Sequence, residues 1–315
     1  MEIGVLNGGG LEIWANYFGK GEKFIGCDIN PDCEALHFDD PRIALVVGDA
    51  NSDTAQEEIL SHSKALDIVI DDGSHQSGDV IRSFLRYFAK LVDGGIYVVE
   101  DLHTSYWDEY GGGLFAPFSS ISFFKRLVDI INYEHWGIER NPSDILAGFQ
   151  EKYGVEVMPE ILEHIHSIKF VNSLCIILKS QPIDNKLGAR ILAGKFTVIN
   201  SDVVKLQGSS LVPPLQDSNP WSARIRPPEE ELPALELILQ ALTAQVAENE
   251  QAVQTLKAQV AEYKSAINDY INILGQKGIR INNLEILLES IYRSTSWKIT
   301  RPIRDAKTFA QKILR

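Results

Sequence analysis

Ile68-Val69-Ile70-Asp71-Asp72-Gly73-Ser74-His75 is an apolar, β-branched run that stops on two acids and, three residues after the second, a histidine. A second run, Ile96-Tyr97-Val98-Val99, stops on Glu100-Asp101. Runs this short and this apolar suit strands buried on both faces of a parallel sheet, and an open α/β sheet binds its ligands beyond the carboxyl ends of the strands. Asp71, Asp72, Glu100 and Asp101 are therefore expected at one crevice, with His75 beside them. Crowded carboxylates raise one another's pKa unless a cation neutralises them, and all-oxygen donors suit Mg²⁺, Ca²⁺ or Mn²⁺ better than zinc. The plain alternative is a strand-end acid that is merely solvated or that caps the next helix. Two such ends in succession weaken it.

Outward from these runs, residues 1 to about 180 alternate β-branched stretches with helical patterns, the βαβ signature of a doubly wound, mostly parallel sheet. Seven strands are predicted: Glu2 to Leu6, Phe24 to Cys27, Ala44 to Val47, Ala65 to Ile70, Gly95 to Val99, Ser167 to Val171 and Leu174 to Leu178. The last two flank Asn172-Ser173 at hairpin spacing, which places an antiparallel strand on the sheet. Residues 181–231 are expected to be a linker, since seven of the 13 prolines fall between Pro182 and Pro233, with a small β element where Ala189 to Asn200 alternates weakly.

A heptad runs through residues 232–292, with Leu239, Val246, Val253, Val260, Ile267, Leu274, Ile281 and Leu288 at a. Leu242, Asn249, Leu256, Tyr263, Tyr270, Lys277, Leu284 and Ile291 stand at d. At about 1.5 Å per residue this coiled coil would extend roughly 80 Å, and self-association is predicted from it. Gly275 and Gly278 bracket the break at Lys277, so a hinge or an intramolecular hairpin is the competing reading. Residues 293–315 carry seven Lys or Arg against one Asp, interleaved with Trp297, Ile299, Ile303, Phe309, Ile313 and Leu314. Such a tail could lie on an anionic membrane surface or be a solvated basic segment, with Pro302 expected to interrupt any continuous amphipathic helix.

The 315 residues are 44% hydrophobic and 23% charged, the balance of a soluble globular protein with one sizeable core and an additional unit. The net charge of −13 argues against nucleic acid as a partner over the whole surface. Cys27, Cys33 and Cys175 lack ligand spacing and are expected as buried, reduced thiols. No secretory leader or bilayer-length apolar run is evident, so the expected location is the cytoplasm, peripheral at the inner membrane face if the tail binds there.

Gly4-Val5-Leu6-Asn7-Gly8-Gly9-Gly10 follows the first strand and precedes a helical pattern from Leu11 to Phe18, so backbone can approach a ligand at a helix N-terminus. Asp28 ends the second strand, twenty residues after Gly8, where an acid commonly accepts hydrogen bonds from a ribose diol, and Asp49 ends the third. Each acid alone is more often a turn residue or a helix cap.

The order Glu2-Ile3-Gly4-Val5-Leu6-Asn7-Gly8, Asp28, Gly48-Asp49, Asp71-Asp72 resembles that of class I S-adenosylmethionine-dependent methyltransferases, over residues 1 to about 180. Ile70-Asp71-Asp72-Gly73-Ser74-His75 with Val99-Glu100-Asp101-Leu102-His103-Thr104-Ser105-Tyr106-Trp107 sharpens the likeness. It resembles the metal-dependent sugar O-methyltransferases of the mycinamicin and macrocin type, which modify macrolide antibiotics. The resemblance implies S-adenosylmethionine and Mg²⁺ as cofactors, Asp72, Glu100 and Asp101 as metal ligands, and His75 as general base. It assigns Gly4 and Gly8 to the methionine-side loop, Asp28 to the ribose and Asp49 to the adenine, and counts Asn7 and Asp71 with the cofactor-binding set. His103, Thr104, Tyr106 and Trp107 would then stack on a sugar or close the pocket, with packing as the equal alternative. That family usually has a helical segment before the first strand that helps to cover the cofactor, where Met1 stands here. Ser294-Thr295-Ser296-Trp297-Lys298-Ile299-Thr300-Arg301-Pro302-Ile303-Arg304 looks like the ends of bacterial surface-polysaccharide enzymes.

The leading expectation is an O-methyltransferase acting on a sugar hydroxyl of a glycan, glycolipid or glycosylated natural product. A catalytically inert scaffold that organises glycan-synthesis enzymes through its coiled coil is the alternative, and it has no use for the intact acid set. A nicotinamide-dependent dehydrogenase fits Gly8 and Asp28 but lacks the G-x-G-x-x-G spacing and leaves the other acids unexplained.

Overall fold

The computed structural model describes residues 1–313, leaving aside the side chains of residues 232–234, 236 and 313; the tail's Leu314 lies outside the described residues. The chain divides into two compact units, Met1–Leu235 and the residues from Glu236 onward. In the first unit the strands are β1 (Glu2–Ile3), β2 (Phe24–Asp28), β3 (Ile43–Val47), β4 (Leu66–Asp71), β5 (Leu91–Val99), β6 (Ile165–Val171) and β7 (Leu174–Lys179). They form one seven-stranded sheet of order β3-β2-β1-β4-β5-β7-β6, parallel except that β7 runs antiparallel to both neighbours. The helices are α1 (Gly9–Tyr17), α2 (Asp53–His62), α3 (Ser77–Phe88), α4 (Ser120–Ile130), α5 (Ala147–Tyr153) and α6 (Pro159–Leu162). Expected and observed strands agree within a few residues. β1 is shorter because the backbone turns left-handed at Gly4 (φ +82°) and again at Leu6 (φ +46°).

Register decides which face each residue takes. Val46, Cys27, Ile3, Asp71, Val99 and Cys175 are successive partners across the sheet, so all six side chains lie on one face. That face carries the main core, where Val69, Tyr97 and Ile177 meet Phe84 and Phe88 of α3 and Phe123, Phe124 and Leu127 of α4. The Phe84 ring centroid stands 4.9 Å from that of Phe88 and 5.3 Å from that of Tyr97. On the opposite face, Leu11 of α1 packs with Val5 and Cys33 over β2 and β3. Farther along that face, over β4, β5 and β7, a groove of about 1170 Å³ is lined by Ile68, Ile70, Ile96, Val98 and Ile176, with Trp14 and Phe18 at its side.

The Pro-rich residues 181–231 fall within the first unit and hold no strand among the described residues, contrary to the small β element expected there. A 3-10 helix over Ser201–Leu206 and two backbone hydrogen bonds joining Arg190 to Gly208 and Ser209 take its place. Cys27, Cys33 and Cys175 are buried and free.

α7 (Pro228–Arg293) is one helix of 66 residues, unbroken at Gly275 and Gly278, which rules out the intramolecular hairpin. Its heptad side chains are exposed, Leu242, Val253, Leu256 and Val260 among them. α8 (Thr295–Ile299) and α9 (Arg301–Ile313) follow. Pro302 begins α9 rather than interrupting a helix, since a first-turn proline forfeits no intrahelical bond. No described helix is long and apolar enough to cross a membrane.

Candidate active site

The turn after β4 and the turn after β5 meet at the carboxyl edge of the sheet. Asp72 N donates to Ile3 O at 2.9 Å, which pins the first turn to β1. His75 (φ +57°) and Asp101 (φ +49°) both hold left-handed backbones. That conformation costs a residue with a Cβ on the order of 1–3 kcal/mol, and such strain gathers at functional sites. Its effect here is convergence: one ligand atom each from Asp72, His75 and Asp101 lie within 4.8 Å of one another. His75 Nε2 is 4.0 Å from Asp72 Oδ1 and 3.9 Å from Asp101 Oδ2, in neither case a hydrogen bond. Burial and the Asp101 charge push the Asp72 carboxyl up, while His75 pulls it back. Two carboxylates held this close form a donor set that a hard divalent cation fits.

Glu100 stands apart from this cluster. Glu100 N donates to Asp71 O at 2.9 Å and so continues the ladder, and strand alternation turns its side chain to the face of Ile70 and Val98, where it lines the groove with Glu2. Burial, then Asp72 and Asp101, push its carboxyl up. Asp71 departs further from expectation. Its register puts it in the main core, 3% exposed, accepting from Tyr97 Oη at 3.1 Å, and burial drives its carboxyl up to about 7. A carboxyl enclosed there is a packing and hydrogen-bonding group, and the crevice receives only Asp72 of the pair.

Of the glycine-rich turn, Gly4 and Gly8 are both left-handed, at φ +82° and +76°. A Cβ on Gly4 would overlap the Asp72 carbonyl oxygen, and one on Gly8 would come within 2.6 Å of Phe38 Cζ. Asn7 between them is exposed. Asp28 holds this turn in place: its Oδ2 accepts from Val5 N at 2.9 Å and Leu6 N at 3.0 Å, and its Oδ1 from Asn30 N at 2.9 Å. A carboxylate has about four acceptor positions, so one remains for a ligand hydroxyl. Asp49 is exposed, with Oδ1 accepting from Asn51 N at 2.9 Å.

Beyond Asp101, 3-10 turns over Leu102–Tyr106 and Asp108–Tyr110 raise an aromatic wall. The His103 and Trp107 rings meet edge-on at 5.0 Å, Trp107 and Tyr110 lie 6.0 Å apart, and Tyr110 is 6.4 Å from the His75 ring. Tyr106 and Trp107 are exposed, whereas Thr104 is buried with its hydroxyl on Asp101 O, so it faces no ligand. Gly111–Gly113 close a bonded turn in which Gly112 N donates to Trp107 O and Gly113 N to Ser105 O.

Three groups were not anticipated. Ser173 (φ +69°), in the β6–β7 turn, has Oγ 2.7 Å from His103 Nδ1 and 3.5 Å from Asp101 Oδ1, tying the hairpin to the acid cluster. Tyr110 extends the wall. Glu2 is 8% exposed at the groove with Oε2 unpartnered, and burial, followed by Asp72, lifts its carboxyl to about 7. The Asn172-Ser173 turn was visible in the sequence, but its reach to Asp101 depends on sheet order.

No protein-family model matches the chain. Curated relatives match just under half of the chain. Each of them is an O-methyltransferase. The 8-demethyl-8-alpha-L-rhamnosyl tetracenomycin-C 2'-O-methyltransferase of Streptomyces olivaceus is 36% identical over 160 residues, covering 47% of this chain and 41% of that relative. Demethylmacrocin O-methyltransferase of Streptomyces fradiae is 37% identical over 144 residues, 42% of this chain and 35% of its own length. Mycinamicin VI 2''-O-methyltransferase of Micromonospora griseorubida is 34% identical over 153 residues, 45% of this chain and 37% of its own. The matched stretch thus spans well under half of these relatives. A solved structure of MycE methyltransferase from the mycinamycin biosynthetic pathway, in complex with Mg and SAH, is 28% identical, with 57% of this chain and 45% of that one covered at a TM-score of 0.46.

Proposed function

We propose that this chain is an S-adenosylmethionine- and Mg²⁺-dependent O-methyltransferase acting on a sugar hydroxyl of a glycan, glycolipid or glycosylated natural product. The convergence of Asp72, His75 and Asp101 beside the glycine-rich turn carries this reading. Relatives at 34–37% identity that are O-methyltransferases of rhamnosyl tetracenomycin, demethylmacrocin and mycinamicin support it.

Bound Mg²⁺ would lower the pKa of a coordinated hydroxyl and orient it, and the methyl donor brings a carbon already activated by its sulfonium. The protein's task is then positioning and proton removal. Asp72 and Asp101 would hold the metal. Mg²⁺ prefers oxygen, which leaves His75, between the two acids, to accept the hydroxyl proton at Nε2. Gly4 and Gly8 would let backbone approach the donor, Asp28 fixes that turn and would offer its remaining acceptor position to the ribose, and exposed Asp49 would accept from the adenine. Tyr106 and Trp107 present faces on which a sugar ring can stack. The sugar-bearing acceptor, a homo-oligomer built on α7 and a cytoplasmic setting near surface-glycan assembly complete the proposal.

The test is calorimetric titration with S-adenosylmethionine and with NAD, each with Mg²⁺ and again with chelator. Methyl transfer from labelled donor to a panel of rhamnosylated and macrolide glycosides follows. Binding of the methyl donor alone, with transfer lost in chelator, is expected; binding of NAD instead, or of neither ligand, would overturn the assignment and in the second case favour the inert scaffold.

A further inference from the structure

The basic tail is a built amphipathic element that the proposed chemistry leaves unused. Ser294 caps α8, its Oγ accepting from Trp297 N at 3.2 Å. Arg304 then locks the corner between α8 and α9: its guanidinium lies 3.4 Å from the Trp297 ring centroid, and it donates to Trp297 O at 2.7 Å and Thr300 Oγ1 at 2.6 Å. Trp297 in turn meets Tyr292 at the end of α7 edge-on at 5.1 Å. The corner is thereby fixed without using the outer face of α9.

At 3.6 residues per turn, Pro302, Ile303, Ala306, Phe309 and Ala310 share one arc of about 120° on α9, and the remainder holds Arg301, Arg304, Lys307 and Lys312 with Thr308, Gln311 and a single acid, Asp305, which pairs with Arg301 at 3.6 Å. The apolar arc is open, with Ile303 72% and Phe309 68% exposed, and Ile299 of α8 is 71% exposed. An arc this wide exceeds a two-position coiled-coil seam, and it begins only after the heptad of α7 ends at Ile291. Its positive charge is set against a chain whose net charge is −13, so it is a local feature opposed to the general charge.

We propose that α9, held on the α8 corner, is a peripheral membrane anchor. It lies in the plane of an anionic phospholipid surface, with Ile303, Ala306 and Phe309 among the acyl chains and Arg301, Lys307 and Lys312 at the headgroup phosphates. Charge complementarity selects the lipid surface as the occupant, since cations bordering a broad apolar arc match phosphates above hydrocarbon. The inference is independent of the proposed chemistry.

The test is co-sedimentation of the full chain with vesicles of phosphatidylcholine alone and of phosphatidylcholine mixed with phosphatidylglycerol, at low and high salt. Binding to the mixed vesicles only, weakened by salt, is expected. Lys307→Glu should lower the partition coefficient several-fold and Phe309→Asp by more than tenfold, with circular dichroism confirming that each variant stays folded. As a second readout, Phe309→Trp should shift its emission to the blue and be quenched by brominated acyl chains. Wild-type protein left in the supernatant at low salt would overturn the proposal and make the face a protein-binding surface. Binding that survives Phe309→Asp, or that is equal on neutral vesicles, would overturn it as well.

Discussion

His75 Nε2 stands 3.9 Å from Asp101 Oδ2, and the two residues reach each other from different turns through left-handed backbones at both positions. That separation leaves room for a substrate hydroxyl or a metal ion rather than a direct hydrogen bond, and it divides the possible roles of His75. As base, it leaves metal affinity to the acids; as ligand, it shares it. His75→Ala is expected to lower turnover about 10²- to 10⁴-fold, the usual worth of a general base, on any glycoside the protein methylates. Mg²⁺ and methyl-donor affinities should stay unchanged by calorimetry. A matching loss of Mg²⁺ affinity would make His75 a ligand.

The acids carry the complementary expectation. Asp72→Asn and Asp101→Asn should each weaken Mg²⁺ binding by at least about tenfold while the methyl donor still binds, because the glycine-rich turn and Asp28 are untouched. Glu100→Gln is the informative companion. Its side chain lines the groove outside the Asp72-His75-Asp101 cluster, so its effect on Mg²⁺ should be the smallest of the three. A loss equal to that of Asp72→Asn would show that Glu100 turns into the cluster when the ion binds.

Gly4 couples the glycine-rich turn to the Asp72 turn. It holds φ +82°, and a Cβ there would overlap the Asp72 carbonyl oxygen. Gly4→Ala should destabilise the protein by at least about 1–3 kcal/mol in urea unfolding and displace Asp72, lowering methyl-donor and Mg²⁺ affinity together. Gly9→Ala is the control. Gly9 has no positive φ and nothing lies within 4 Å of its Cβ position, so this substitution should be neutral or slightly stabilising within α1.

Glu2 supplies the pH prediction. Its folded pKa of about 7 lies above the ordinary 4.5, chiefly through burial, so the folded chain holds this proton more tightly than the unfolded chain does. Between those two values, raising the pH therefore lowers stability, and the full cost is present above the upper one. Glu2→Gln should raise the melting temperature near pH 8, by up to about 3 kcal/mol of stability, and change it little near pH 4. The measurement is thermal unfolding in chelator across that range, and an equal gain at both ends would detach the effect from ionisation.

The sheet was legible because short β-branched runs and a near-continuous set of strand-end acids leave few alternatives to a doubly wound fold. Its register was not, and register separates Asp72 from Asp71 and turns Glu100 away from Asp101. The adjacent acids of each pair looked alike in sequence, whereas strand alternation puts Asp71 against Tyr97 in the core and Glu100 beside Ile70 and Val98. Left-handed backbone at His75 and Asp101 is equally hidden, since neither residue type announces it. Pro302 misled for a related reason: a proline breaks a helix it interrupts and starts one it heads, and only the end of α8 at Ile299 decides between them.

The exposed seam of α7 leads to the last prediction. Val246, Val253, Leu256, Val260 and Ile267 lie along one stripe of an unbroken 66-residue helix and remain open to solvent. A helix of that length with its apolar stripe open to solvent gains little from folding alone. Pairing with another copy would bury each seam side chain at roughly 1.5–3 kcal/mol when fully covered. Asn249 and Lys277 interrupt the seam, and polar groups at such positions fix register at some cost in stability. The full chain should therefore sediment as an oligomer at micromolar concentration, and Val253→Asp with Leu256→Asp should convert it to monomer. Methyl-donor affinity should survive that conversion, because no a or d residue lies in the glycine-rich turn or the acid cluster. Wild-type protein that sediments as a monomer would show that the stripe serves a different chain.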